Sequence, residues 1–154
     1  MLGKKLEALG ACREAVEWSA QYGDDFQRAW NECHRGDWML WLLGKLSGTP
    51  ESDSRKKLVL ACCEVARTAL PIFEVRYPND SRPRKAIETA ESYANSVDGV
   101  TLDDVLAAAA DAAADAADAA AYAAADAADA RAKSLAACVD IVRKHYPIAP
   151  TFPK

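Results

Sequence analysis

The chain has 154 residues, enough for one domain with a real core, and 51% of them are hydrophobic, a share heavy in alanine. Its formal net charge of −4, with 27% charged residues, excludes the basic face of a nucleic-acid binder and leaves room for a basic protein partner. Five cysteines, an odd number with Cys62 and Cys63 adjacent, do not form a disulfide framework; reduced thiols in a cytoplasmic protein are expected.

The N-terminus, Met1 to Glu7, is interrupted by Lys4 and Lys5 and has no apolar signal run. Gly10 separates a short opening helix from a second that runs to about Tyr22. Gly23-Asp24-Asp25 restarts the chain, and the aspartates are candidate N-caps for a helix from Phe26 to His34. Gly36-Asp37 repeats the device before Trp38-Met39-Leu40-Trp41-Leu42-Leu43, a helix apolar on most sides and therefore buried nearly all round. A turn-rich stretch, 48–54, follows.

From Arg55 to Tyr77 the apolar spacing is helical, with Leu58, Cys62, Val65 and Ala69 on one side. Pro71 predicts a kink or break near Ala69. The turn at 78–83 leads into a helix to about Ser96, with Asp80 or Ser81 at its cap and Pro83 in its first turn, where a missing N–H does no harm. Arg82, Arg84 and Lys85 oppose that helix's dipole, and pairing with Glu74, Asp80 or Glu88 is expected. Thr101 caps the last helix with Asp104 three residues on, in place of the glutamate of a full capping box. No further glycine or proline occurs before Pro147. The expectation is an all-α single-domain bundle of six to seven helices over 1–147, ending in a long alanine-rich helix, with 148–154 as a tail.

That last helix carries the most unusual pattern. At about 100° per residue, Asp111, Asp115, Asp118, Tyr122, Asp126 and Asp129 fall in one stripe roughly 80° wide, and nearly all the remaining circumference is alanine. An aspartate every three or four residues excludes a membrane span. Alanine permits close helix approach and has the best helix propensity, whereas aspartate is a mediocre helix former. The stripe therefore serves solubility, as a wet edge on a packed strut, or it binds: its carboxylates lie about 5–6 Å apart, a pitch suited to arginines or to mimicry of a phosphate row. Forty-odd residues would span roughly 65 Å, so the helix must break, protrude or pair with a second subunit.

Chemistry is poorly served. His34 and His145 are the only histidines, and Cys33-His34 has no second ligand pair at metal-site spacing, so neither a metal nor another cofactor is expected. No GxSxG elbow, phosphate loop or Glu-x-x-His motif occurs, and a catalytic role is not expected. Trp18, Trp30, Trp38 and Trp41 crowd into the first third beside Asp24, Asp25, Glu32 and Asp37. Core burial is the default for Trp38 and Trp41, and a partly exposed anchor beside acidic groups is the functional alternative.

Three stretches, Ala11 to Trp18, Ala29 to Leu42 and Phe73 to Glu88, together with the close Ile141-Val142-Arg143-Lys144-His145-Tyr146-Pro147, resemble the immunity-five-like all-helical domains of bacterial polymorphic toxin systems, which also occur in phage genomes. The resemblance implies neutralisation of a toxin by direct binding, without chemistry. A phage-borne member would instead inhibit a host defence protein. The candidate surface is the aspartate stripe with Tyr122, joined to Trp38, Trp41, Asp24 and Asp37, facing a partner with a basic surface; Asp80, Arg82, Pro83 and Arg84 form a structural motif. A structural module that homodimerises through the alanine helix is the remaining alternative.

Overall fold

The computed structural model describes residues 1–109 and 127–152, with side chains for 1–109 and 135–152. Asp111, Asp115, Asp118, Tyr122 and Asp126 lie outside the described residues, as does the side chain of Asp129. All regular structure among the described residues is helical: α1 (Leu2–Ala8), α2 (Arg13–Ser19) continued by a 3-10 turn (Ala20–Tyr22), α3 (Phe26–Glu32), α4 (Gly36–Leu46), α5 (Asp53–Arg76), α6 (Arg82–Ala94), α7 (102–109) and α8 (Ala127–His145). Among these residues no helix is long and apolar enough to cross a membrane.

Helix starts follow side-chain chemistry. Asp25 caps α3 by accepting from the Arg28 backbone N–H at 3.0 Å, and Ser52 caps α5 by accepting from Arg55 at 3.3 Å. Thr101 and Asp104 form the reciprocal pair expected at α7: the Thr101 backbone N–H and hydroxyl both donate to the Asp104 carboxylate, and the Asp104 N–H donates back to the Thr101 hydroxyl. Two placements differ from expectation. Asp24 does not cap; its carboxylate meets the N-terminal amine at 2.6 Å. Asp37 lies inside the first turn of α4, whose cap position is Arg35, and there its negative charge complements the positive helix end.

The break expected near Ala69 does not occur, and α5 runs through Pro71 as one helix of 24 residues. Pro71 is exposed, so the carbonyl it leaves without an N–H partner can be met by water. Ion pairs on either side of it hold α5 against α6: Arg67 to Glu91 at 2.6 Å, and Glu74 to Arg84 at 2.7 Å.

α8 is the post on which the bundle leans. α4 and α5 both pack along it, while α6 lies on α5 and α1 on α2. The core joins Leu2 and Leu6 of α1, Met39 and Leu42 of α4, Leu58 of α5 and Val142 of α8. Gly36 allows the close crossing of α4 over α8, because a Cβ there would lie 2.5 Å from the Cys138 sulfur. The segment after α8 returns across α3: the Trp30 indole N–H donates to the Tyr146 carbonyl at 2.8 Å, the Ala149 N–H donates to the Gln27 side chain at 2.9 Å, and the Phe152 ring stands 5.0 Å from Phe26. Residues read as a tail are thus packed at least to Phe152.

Candidate partner-binding site

The first four helices enclose a cavity of about 490 Å³ with walls that are mostly apolar. All four tryptophans line it, with Leu2 and Met39 among the residues at its base. The local sequence explains the convergence. Gly10, at φ +82°, turns the chain between α1 and α2, and Gly23, at φ +58°, turns it into α3; both are left-handed conformations that cost a glycine little. Trp38 and Trp41 stand three residues apart on α4 and so share one helix face.

The tryptophans have different roles. Trp30 is 2% exposed, its indole N–H satisfied by the Tyr146 carbonyl, and it is core. Trp18, Trp38 and Trp41 are half-buried. Trp18 packs against Trp38 with ring centres 5.9 Å apart, against Tyr22 at 4.8 Å and edge-on to His34 at 6.3 Å. α4 is therefore not buried all round: its Trp38 and Trp41 face opens to the cavity.

Arg35 organises the rim. Its guanidinium donates to both carboxylate oxygens of Asp37, at 2.9 and 2.8 Å, and to Glu14 of α2 at 3.2 Å, and it lies 4.3 Å above the Trp38 ring. One side chain thus ties α2 to the start of α4. Its hydrogen bonds with Asp37 hold that carboxyl below the usual carboxylate range, against the opposing effect of burial, and the same bonds push the Arg35 pKa up. Cys33 beneath it is buried; burial raises its thiol pKa, and its sulfur donates to the Arg35 carbonyl.

Of the residues singled out by sequence, Trp38, Trp41 and Asp37 come together here, and Asp24 does not line the cavity. Asp80, Arg82 and Arg84 form a separate cluster at the start of α6, where Arg82 pairs with Asp80 at 2.8 Å. Arg35 and Cys12 were not singled out, and no spacing rule points to them. Among the described residues no group of three or more His, Cys, Asp or Glu side chains could hold a metal ion.

A family model described as Imm-5 like putative immunity protein matches residues 48–152, about two thirds of the chain. The chain belongs to this immunity-protein family. The match takes in the Phe73 to Glu88 stretch and the close of α8, and every residue lining the cavity precedes it. No curated protein and no solved structure matches the chain. The stretch matched by the family model and the cavity-bearing helices are packed into one core, through the contacts of α4 with α8 and of α3 with the segment after α8.

Proposed function

We propose that this immunity-family protein is a non-catalytic inhibitor that neutralises a toxin by covering its working surface. Family membership carries this reading, since immunity proteins are defined by protection and no catalytic constellation was found in the sequence. Its contact face is the corner formed by Trp38, Trp41 and Asp37. Half-buried tryptophans beside charged groups are the kind of residue that dominates binding energy at interfaces. The aspartates from Asp111 to Asp129, with Tyr122, add an acidic surface that would speed encounter with a basic partner.

Tagged protein captured from its native host's lysate, with the co-purifying proteins expressed alone and together with it, tests the reading. A partner that arrests growth alone and is harmless in complex is the expected result. A captured host defence protein would replace the toxin by a defence target. Recovery of only the untagged copy of the same chain would sink the inhibitor reading. Once a partner is in hand, replacing Asp115, Asp118, Asp126 and Asp129 by asparagine is expected to weaken binding more than tenfold, and unchanged affinity would remove the aspartate stripe from the interface.

A further inference from the structure

The tryptophan-walled cavity is lined on its inner side mostly by apolar groups, and the donor hydrogens of Ser19 and Trp30 there are already used. The Ser19 hydroxyl, 0% exposed, donates to the Val16 carbonyl at 2.8 Å, and the Trp30 indole N–H donates to the Tyr146 carbonyl. A polar group pushed in would lose its water there without a replacement, whereas an apolar one would gain from leaving water. The volume of about 490 Å³ lies in the range of sites that bury a compact apolar body, and the half-buried Trp18, Trp38 and Trp41 keep the mouth open.

The rim has the opposite character. At the α2–α4 corner two carboxylates, Glu14 and Asp37, face one guanidinium, Arg35, which leaves one negative charge there; the neighbouring Arg13 and Glu17 on α2 cancel each other, and the Lys45 ammonium stands apart from this corner, 5.7 Å over the Trp41 ring. Accessibility sharpens the asymmetry: the Glu14 side chain is 71% exposed, while Arg35 is 23% exposed. An incoming group therefore meets carboxylate before it meets guanidinium.

We infer that the cavity receives one apolar side chain, aromatic or long aliphatic, from a protein partner, and that a lysine or arginine next to it in the partner's chain pairs with Glu14 at the rim. This assignment rests on the protein-binding reading above and names the chemistry of its contact. The apolar side chain supplies binding energy by filling a preformed space, and the basic neighbour sets orientation and salt sensitivity. A partner segment of the opposite pattern, acidic beside an apolar residue, would be repelled at Glu14.

The test is selection of a displayed random heptapeptide library on the full chain, with counter-selection on Ala11→Phe. Ala11 lines the cavity and is only partly buried, so the new ring blocks the space with little disturbance of the core. Should that variant melt early, a maleimide on the exposed Cys12, also in the lining, blocks the mouth in a Cys62→Ser background. The expected peptides place Trp, Phe, Leu or Met next to Arg or Lys. They lose at least tenfold in affinity on the blocked protein and threefold or more on Glu14→Lys, with the second loss shrinking at high salt. Failure to enrich any peptide over the blocked protein overturns the proposal, as does enrichment of acidic peptides. Binding of indole without peptide binding, or self-association abolished by Ala11→Phe, assigns the cavity another occupant and also overturns it. If peptides are not selected while toxin neutralisation is observed, only this assignment falls. If peptides bind as expected and no toxin is neutralised, the inhibitor reading falls and this one stands.

Discussion

Gly36 and Cys138 touch where α4 crosses α8: a methyl group on Gly36 would lie 2.5 Å from the Cys138 sulfur and 2.6 Å from its Cβ. Both distances are shorter than packed carbon and sulfur atoms tolerate, and the Leu135 carbonyl stands 3.1 Å away on the same side. The helices cannot separate without opening the core around Met39 and Val142. Gly36→Ala is therefore expected to destabilise by about 1–3 kcal/mol, although alanine is the better helix former by about 1 kcal/mol at an unhindered position. Urea unfolding should show a lowered midpoint with an unchanged slope. Cys138→Ala combined with it should recover only part of the loss, because the Cβ at 2.6 Å remains; full recovery would place the strain on the sulfur alone.

Arg143 of α8 reaches the open end of α3, donating to the carbonyl oxygens of Trp30 and Cys33. Those carbonyls carry the negative end of the α3 dipole and have no partner within the helix. Arg143→Met keeps most of the packing volume and removes the charge-assisted bonds, each of which contributes about 1.5–3 kcal/mol. A loss of that order in chemical denaturation is expected, with Arg143→Lys intermediate. A loss below about 0.5 kcal/mol would mean that water caps α3 equally well.

The helical class, the caps at Asp25 and Thr101, and the ion pairs of Arg82 and Arg84 were legible because each depends on residues close in sequence. The division among the tryptophans was not. Trp30 is core because Tyr146, 116 residues away, satisfies its indole, and no local pattern carries that distance. Arg35 was missed for the same reason: one basic residue before Gly-Asp has no signature, and its importance comes from Glu14, 21 positions earlier. Pro71 does not break α5, and the ion pairs that tie α5 to its neighbour on either side of the proline come from α6, beyond any local pattern.

The two kinds of tryptophan should separate in stability. Trp30→Ala removes a fully buried ring and leaves its indole's acceptor unpaired, so a loss of about 3–5 kcal/mol is expected. Trp41→Ala removes a half-buried ring that opens on the cavity and is expected to cost clearly less. Thermal melts of the two single variants decide it; equal losses would make Trp41 a core residue and weaken its place in the binding face.

Acid sensitivity follows from the carboxylates that the fold holds ionised. Arg35 lowers the pKa of Asp37, Arg67 that of Glu91, and Lys144 followed by His145 that of Glu64. Each folded value lies below the unfolded one, so the folded protein binds these protons less readily than the unfolded chain. Their contribution is complete above the unfolded values, near pH 4–4.5, and is lost as pH falls through the lowered folded values. Melting temperature should be flat in these groups from pH 7 to about 5 and then fall steeply. Arg35→Gln removes the cause of the Asp37 shift, so the variant should start less stable at pH 7 and lose less on acidification. A fall of the same depth in the variant would show that the Asp37–Arg35 pair contributes nothing to acid unfolding.

Thiol reactivity tests the packing around α8 independently. Burial pushes the pKa values of Cys63 and Cys138 up to about 11, so almost no thiolate is present at pH 8, and both side chains are shielded from reagent. Cys12 is exposed at the cavity. Timed alkylation with iodoacetamide at pH 8, read by peptide mass spectrometry, should modify Cys12 first and Cys63 and Cys138 only at the rate of unfolding. Adding urea to the unfolding midpoint should bring their rates toward that of Cys12. Early modification of Cys138 in the native protein would mean that the α4–α8 crossing opens, and Gly36→Ala should then cost little.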